Sequence, residues 1–316
     1  MPRAPQNQME ITDCGVCGSG EVDRRLTATD WLHGSHESFE YVRCRQCGLF
    51  YIRERPTEDG ISRYYPERSY YTFQSDGSAT PSRPAHDRLA KRLTHQLGEP
   101  GRFVDIGCGD GSFLAAMVKN RWGGIGTEVH VPTVERLNGL GYTALAGKLG
   151  AVDLPNHHFD LVTMLEVLEH VHRPLETLRE ARRLLAPGGM LYVTTPNIAS
   201  VEFRLYGPRW VALEPPLHLQ LFSPNSLHLA LSEAGFSRVQ IIVSENVDGL
   251  SRSLWLALQN RRRADTGRDG KDVPEYVANS WRRTAHRGLN VLLWPLGQVL
   301  GRLHLGPGLE AMAYCD

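Results

Sequence analysis

The sequence lacks the features that would place the chain across a membrane or against a polyanion. No uninterrupted apolar run approaches the ~20 residues that a helix needs to span a bilayer. Residues 1–14 contain no apolar segment typical of a secretory signal, so we expect a cytoplasmic protein. Net charge is also absent, since 35 Lys and Arg residues balance 35 Asp and Glu residues. This balance excludes a strong overall attraction to nucleic acid or to an anionic membrane surface.

Cysteine is scarce, but four of the six cysteines form two closely spaced pairs. Cys14 and Cys17 make one C-x-x-C pair, and Cys44 and Cys47 make another after 26 intervening residues. Two such pairs can bring four thiolates to one ion in a closed tetrahedral zinc site. A disulfide pair or a redox motif is the alternative, although disulfides are rare in the cytoplasm. We therefore predict a structural zinc ion in a zinc-ribbon-like module over residues 1–53.

Residues 54–86 are rich in proline, glycine, serine and tyrosine, which predicts a connector. The segments 63–66 and 69–71 carry more tyrosine than a plain linker requires. Two interpretations remain open at this point. The connector is either a strap packed against the next domain or a lid whose aromatic rings cover a ligand.

Strand and helix patterns alternate over residues 87–245. Apolar strand segments are predicted at 102–106, 124–128, 159–164, 190–195 and 237–243. Helices are predicted between them at 112–120, 133–140, 175–185 and 225–234. This alternation predicts an α/β domain with a doubly wound sheet.

The pattern changes over residues 246–316, where we predict a helical extension that begins with a helix over 250–263. The apolar segment 289–305 is interrupted by Pro295 and by glycines, and it is too short to span a membrane. Core packing or a dimer face would explain it, with peripheral membrane contact as the alternative. The sequence does not specify an oligomeric state.

The most informative segment is 103–112, FVDIGCGDGS, which joins a predicted strand to a predicted helix. Its three alternating glycines allow the backbone to approach a ligand closely, and a helix N-terminus favours an anionic group. Seventeen residues after Gly111, Glu128 ends the next strand. A carboxylate at that position can accept both ribose hydroxyls of a nucleoside. The pattern therefore predicts a nucleoside cofactor at the carboxyl edge of the sheet.

The two cofactors that fit this edge are a nicotinamide dinucleotide and S-adenosylmethionine. A dinucleotide fingerprint needs G-x-G-x-x-G, and here the third glycine comes one residue early. Asp105, in the strand before the turn, would repel a pyrophosphate but suits a ligand with an ammonium group. The charge argument favours S-adenosylmethionine without deciding the choice alone.

On these motifs the sequence resembles the class I S-adenosylmethionine-dependent methyltransferases. The matching positions are Glu128 and the segments 104–111, 154–162, 165–171, 184–189, 194–197 and 218–223. The resemblance covers residues 87–243 and implies a Rossmann-like, seven-stranded sheet. The paired cysteines extend it toward a bacterial subgroup with an N-terminal zinc module, whose members often modify sugars or other small metabolites.

The resemblance implies a role for each matching residue. The methionine part of the cofactor would be held by Asp105, Gly107, Cys108, Gly109 and Gly111. Glu128 would bind the ribose, and Leu165 and Glu166 would line the sulfonium side. Asp153 would contact the adenine amino group, although other members often place that acid a few residues earlier, where this sequence has Leu149 and Gly150.

A hydroxyl acceptor also requires a base, and histidine suits proton transfer near neutral pH. His170 and its neighbour Glu169 follow a predicted strand at the carboxyl edge, and His218 lies in a loop expected to cover the substrate. The alternative for His170 is a structural role at a helix N-terminus.

Three functions remain open from the sequence. The favoured one is methyl transfer to a small molecule such as a sugar, nucleotide sugar or secondary metabolite, with oxygen ahead of carbon or nitrogen as the acceptor. An RNA methyltransferase would use the zinc module, which carries Arg24, Arg25, Arg43 and Arg45, but aromatic and basic residues do not alternate there. A non-catalytic scaffold of the same fold is the third, and the intact glycines and acids argue against it.

Overall fold

The fold is given by a computed structural model that describes residues 8–30, 32–33, 35–65, 82–244, 253, 298–303 and 305–316. The expected helix over 250–263, apart from residue 253, and the apolar segment 289–305 up to residue 297 lie outside the described residues. No helix within the described ranges is long and apolar enough to cross a membrane.

Thirteen strands and six complete α-helices occur within the described residues, besides helical residues at 253 and 298–302. The strands are β1 (Met9–Ile11), β2 (Val22–Thr29), β3 (Ser38–Cys44), β4 (Phe50–Ile52), β5 (Glu54–Pro56), β6 (Arg102–Ile106), β7 (Gly123–Glu128), β8 (Ala144–Ala146), β9 (Phe159–Leu165), β10 (Leu185–Pro196), β11 (Gln220–Leu221), β12 (Arg238–Val243) and β13 (Gly308–Tyr314). The helices are α1 (Pro84–Leu97), α2 (Ser112–Lys119), α3 (Val131–Gly139), α4 (Pro174–Leu184), α5 (Val201–Tyr206) and α6 (Pro224–Glu233).

The central sheet confirms the predicted α/β architecture. Its seven described strands have the order β12-β13-β10-β9-β6-β7-β8, and β13 alone among them runs antiparallel to the other six. The central strands are apolar on both faces because helices cover both sides, as Phe103 and Val104 of β6 illustrate. From β6 the chain continues to β7 and β8 on one side, and it then returns to β9 on the other. The switch point for ligand binding therefore lies at the carboxyl ends of β6 and β9.

The prediction of a helical extension over residues 246–316 is wrong for its last residues. Gly308–Tyr314 forms β13, which inserts between β10 and β12 in the central sheet. Its sequence, GLEAMAY, contains Ala, Glu and Met, which favour helices in isolation. Ladder hydrogen bonds on both edges and the burial of Leu309, Ala311 and Ala313 outweigh that preference.

The N-terminal module is joined to the central sheet by more than a linker. Strands β2, β3 and β4 form an antiparallel sheet, and β11 from the later part of the chain completes it beside β4. Val42 and Tyr51 of the module pack in the same apolar cluster as Leu178 and Phe222. The proposed boundary at residue 53 therefore does not separate two independent cores.

Candidate functional site

The glycine loop after β6 has a backbone conformation that residues other than glycine rarely adopt. Gly107, Gly109 and Gly111 have φ values of 66°, 51° and 78°, in the left-handed region that favours glycine. A Cβ atom on Gly107 would also lie 2.7 Å from Cγ2 of Val167, in the loop that follows β9. Glycine is thus needed both for the turn and for the close approach of the two loops at the switch point.

The carboxylate of Glu128 points into this loop. Its Oε2 accepts a hydrogen bond from the Gly109 N–H at 3.0 Å. Its Oε1 accepts from the N–H groups of Val129 and His130 at 2.8 and 3.1 Å. Three backbone donors orient the carboxylate, and a carboxylate has further lone pairs for ribose hydroxyls. The ribose role of Glu128 stays a prediction, and the structure shows its carboxylate at the glycine loop.

Asp105 lies beneath the loop and is 1% exposed. Thr163 donates its hydroxyl to Asp105 Oδ1 at 2.6 Å. Burial, reinforced by the nearby charge of Glu128, raises the pKa of Asp105 to about 7. A cationic ligand would stabilise the ionised form of this carboxyl.

The side chain of Cys108 packs with Val134 and Leu137 in a small apolar cluster. Burial raises the pKa of its thiol above the ordinary range, so this cysteine is not a reactive group. Its backbone N–H bonds the carbonyl of Thr127 at 2.9 Å. Cys108 therefore shapes the loop through its packing and its backbone.

Leu165 and Glu166 lie where β9 ends, opposite the glycine loop. Glu166 has a φ of 56°, and its N–H lies 3.1 Å from both the carbonyl and the hydroxyl oxygen of Thr194.

Asp153 does not lie with the other predicted cofactor residues. It is exposed and lies beside Arg183 in the last turn of α4, which leads into the amino end of β10. The structure places it away from the carboxyl edge expected for an adenine contact.

The residues at the switch point fit S-adenosylmethionine. Two acidic side chains, Asp105 and Glu128, complement a ligand that carries an ammonium and a sulfonium group. Because Gly107, Gly109 and Gly111 carry no side chains, the loop forms a cradle whose backbone can approach a ligand closely. The oriented Glu128 carboxylate suits a ribose.

The three predicted candidates for the base come together beside this cradle. Glu169, His170 and His218 each present one ligating atom, and these atoms lie within 4.8 Å of one another. Nδ1 of His170 lies 3.0 Å from the Leu217 carbonyl. Nδ1 of His218 lies 2.8 Å from the Ala212 carbonyl. Because a carbonyl only accepts, we assign the proton to Nδ1 in both rings, which leaves each Nε2 available to accept a proton or to bind a cation.

The environments of Glu169 and His170 disfavour both as the general base, for opposite reasons: a raised pKa keeps Glu169 protonated, and a lowered pKa leaves His170 with little affinity for a proton. Glu169 is fully buried, and burial together with the charge of Glu166 raises its pKa well above the ordinary range. Its Oε2 accepts from the Thr195 hydroxyl at 3.0 Å, whereas Oε1 has no hydrogen-bond partner among the described residues. Desolvation and the neighbouring His218 lower the pKa of His170 to about 3. His170 is therefore neutral at physiological pH and has little affinity for a proton.

Three residues that sequence reasoning did not select also reach this cluster. Glu214 Oε2 lies 3.7 Å from His218 Nε2 and 3.4 Å from His33 Nε2. The Tyr65 hydroxyl, at the described end of the connector, lies 3.5 Å from His170 Nδ1. His33 is 181 residues from Glu214 along the chain, so no local pattern could have indicated the contact.

The four cysteines converge as the two C-x-x-C pairs predict, with all four Sγ atoms within 4.8 Å of one another. The Cys14–Cys47 and Cys17–Cys44 Sγ separations are 3.4 and 3.5 Å, far longer than the ~2.05 Å bond of a disulfide. Tetrahedral bonds of about 2.3 Å to zinc would place the sulfurs roughly 3.8 Å apart. The donor set therefore fits a zinc ion.

Comparison with known proteins agrees with this site. The family model described as a methyltransferase domain matches residues 81–241. The ubiquinone biosynthesis O-methyltransferase of Xanthomonas campestris pv. campestris (strain B100) is 34% identical over 214 residues, which span 60% of this chain and 82% of the relative. Its counterpart in Burkholderia pseudomallei (strain 1710b) is 30% identical over 183 residues, which span 50% of this chain and 76% of the relative.

Solved methyltransferase structures have a similar fold. A SAM-dependent methyltransferase from Archaeoglobus fulgidus has 19% identity and a TM-score of 0.47, covering 72% of this chain and 94% of that chain. Haemonchus contortus phosphoethanolamine N-methyltransferase 2, in complex with S-adenosyl-L-methionine, has 15% identity and a TM-score of 0.48. The match covers 84% of this chain and 63% of that chain. On the family match over half of its length and the identity to curated relatives, the chain belongs to the class I S-adenosylmethionine-dependent methyltransferases.

Proposed function

We propose that this methyltransferase acts on a hydroxyl group of a small molecule, with His218 as the general base. The observation that carries the proposal is the position of the His218 ring, near Glu166 after the carboxyl end of β9 and 3.7 Å from the Glu214 carboxylate. Relatives that share up to 34% identity are named O-methyltransferases, which supports an oxygen acceptor. A sugar, a nucleotide sugar or a phenolic metabolite would fit this chemistry.

The cradle would hold the cofactor through Asp105, Glu128 and the loop from Gly107 to Gly111. S-adenosylmethionine, when bound, supplies an electrophilic methyl group on a sulfonium. The protein contributes mainly alignment, since methyl transfer is an in-line displacement that gains from proximity. Ionised Asp105 would hold the ammonium group, and the oriented Glu128 carboxylate would fix the nucleoside.

The base is assigned by comparing the two histidines. A proton acceptor works best when its pKa is near the operating pH, and the pKa of about 3 for His170 is far below it. His218 lies beside Glu214, and a carboxylate stabilises an imidazolium once it forms. The acceptor hydroxyl gives its proton to Nε2 of His218, and its oxygen takes the methyl group. The bound cofactor would supply the methyl group and its sulfonium would leave as a neutral thioether, so charge and atoms would balance.

We also propose that the cysteine cluster binds one structural zinc ion. Four thiolates close the coordination shell, which leaves no position for a substrate. Cys14 and Cys44 are buried in the apolar cluster shared by the module and the central sheet. Zinc would therefore stabilise the junction between the two parts.

The test measures transfer of labelled methyl groups from S-adenosylmethionine to a panel of sugars, nucleotide sugars and phenols. We expect product with a hydroxyl acceptor and none with the matching deoxy compound. His218→Gln should lower kcat about 10²–10⁴-fold with an unchanged Kd for S-adenosylhomocysteine. His95→Gln, at an exposed position on α1, is the control. Full activity of His218→Gln, or transfer to RNA and to no small molecule, would overturn the proposal.

A further inference from the structure

Glu169, His170 and His218 meet at one place although two distant segments carry them. Glu169 and His170 lie after β9, and His218 precedes β11. Backbone hydrogen bonds join the two segments, because the Leu219 and Gln220 N–H groups donate to the Glu169 carbonyl at 2.8 and 3.3 Å. One ligating atom of each of the three side chains lies within 4.8 Å of the other two. We call these three residues the His–Glu cluster.

The side chain of Gln220 fixes the loop that carries two members of the cluster. Gln220 is 1% exposed, and its Nε2 donates to the carbonyls of Leu168 and Val171 at 2.7 and 2.6 Å. These carbonyls flank Glu169 and His170 in the chain, so the loop cannot turn away without breaking buried hydrogen bonds. The positions of the two side chains are therefore set before any ligand binds.

Each member of the cluster has one polar atom already held by a neighbour. Nδ1 of His170 and Nδ1 of His218 each lie beside a backbone carbonyl, which leaves Nε2 as the nitrogen that can bind an ion. Oε2 of Glu169 accepts from the Thr195 hydroxyl. Its Oε1 is buried and has no hydrogen-bond partner among the described residues. Metal ligands in proteins are oriented in this way, by a hydrogen bond to the atom that does not bind the metal.

We propose that the His–Glu cluster is a binding site for a divalent transition-metal ion, separate from the cysteine cluster. Two imidazoles and a carboxylate suit ions such as Zn²⁺ and Co²⁺, whereas Mg²⁺ and Ca²⁺ prefer a shell of oxygen ligands. Bonds of about 2.0–2.1 Å would place tetrahedral ligand atoms roughly 3.4 Å apart. Side-chain rotations that keep the backbone in place can bring the three atoms from their present spacing to that distance.

The charges around the cluster also suit a cation. His170 is neutral because desolvation lowers its pKa to about 3, and the neutral imidazole is the form that binds a metal. A carboxylate binds a metal in its ionised form, so the ion would displace the proton of Glu169. Glu166 lies near enough for its charge to act on Glu169. A divalent cation would offset the negative charge that the two acids bring together.

Three protein ligands leave at least one position on the ion open to water or to an acceptor oxygen. The ion would also occupy Nε2 of His218, the atom to which the acceptor gives its proton in the proposed function. That nitrogen cannot hold the ion and take the proton at once, so a bound ion should suppress methyl transfer. The site itself does not depend on the proposed function, but this expected inhibition rests on it.

The test titrates Co²⁺ into the full-length, zinc-loaded protein and follows binding by calorimetry and visible absorption. Zinc stays in the cysteine cluster because its affinity exceeds that of Co²⁺, so the added Co²⁺ should show no charge-transfer band from sulfur. We expect one Co²⁺ per chain. Glu169→Gln and His170→Gln should each lower the affinity about 10-fold or more, the cost of losing even a group behind a ligand. His95→Gln, at an exposed position, is the matched control.

Absence of Co²⁺ binding, or an equal affinity in all three variants, would overturn the inference. A measurement on the wild-type protein covers the case in which the variants do not fold. Paramagnetic Co²⁺ should shift or broaden the NMR signals of the His170 and His218 rings and leave the signal of His95 unchanged. Unchanged signals of all three rings would contradict the site.

Activity separates the metal site from the proposed function. Saturating Co²⁺ should suppress methyl transfer, and its removal by gel filtration should restore it. If Co²⁺ binds at the cluster and transfer increases, the metal site stands and the role of His218 as the base fails. If Co²⁺ does not bind while His218→Gln is inactive, the metal site fails and the proposed function stands.

Discussion

Replacing Asp105 with asparagine should stabilise the protein against unfolding and lower its affinity for the cofactor. The side chain is 1% exposed, and its pKa is raised to about 7 from an ordinary value of 3.8. Asparagine has nearly the same shape and can still accept the hydroxyl hydrogen of Thr163. It cannot ionise, so the variant removes the buried charge, and it places an NH2 group where a carboxyl oxygen stood.

The sign and size of the effect follow from proton linkage. Between pH 3.8 and about 7 the folded protein retains the Asp105 proton while the unfolded chain loses it, so this group's contribution to stability falls as the pH rises. The contribution of Asp105 to stability is fully present below pH 3.8 and fully lost above about pH 7. A difference of about three pKa units corresponds to about 4 kcal/mol. Asp105→Asn should therefore gain up to about 4 kcal/mol over the wild type near pH 8.5.

The assay is urea unfolding of the metal-loaded protein at about pH 5 and about pH 8.5, combined with calorimetric titration of S-adenosylhomocysteine. We expect the stability difference to grow with pH and the affinity of Asp105→Asn to fall about 10-fold or more, as for a lost charged hydrogen bond. Asp59→Asn, at an exposed position, should show neither effect. A stability difference that is equal at both pH values would refute the reasoning.

Three further predictions concern the backbone, the metal and the module. Gly107→Ala should cost about 1–3 kcal/mol in unfolding free energy and weaken S-adenosylhomocysteine binding, whereas Gly141→Ala, which also has a positive φ but open space around it, should leave binding unchanged. Native mass spectrometry should find one zinc ion per chain, absent after Cys44→Ser, with a lower melting temperature. Tyr41→Phe should cost about 1–3 kcal/mol in thermal or urea unfolding, because two carbonyls lose a buried donor.

The parts of the fold that the sequence predicts are those with strong local signals. The apolar strand at 102–106, the glycine turn after it and the acid that ends the next strand follow one another along the chain. Parallel strands bring their carboxyl ends to one edge, so the meeting of the glycine loop with Glu128 follows from the topology. The four cysteines converge for a similar reason, since each pair is already close in sequence.

The remaining features depend on contacts between distant segments. The strand β13 has helix-favouring residues and is defined by its two neighbours. The two-residue strand β11 exists because β4 offers an open edge. His33 meets Glu214 across 181 residues. Asp153 precedes a matching Leu-Pro pair, yet the loop from β8 takes it toward α4.

The most direct test of the account is a crystal structure of the protein with S-adenosylhomocysteine. We expect both ribose hydroxyls of that nucleoside within about 3.2 Å of the Glu128 carboxylate, the glycine loop against the methionine part, and the sulfur facing the side of the cleft that carries His218. A nucleoside bound elsewhere, or a Glu128 side chain turned away from the ribose, would contradict the account.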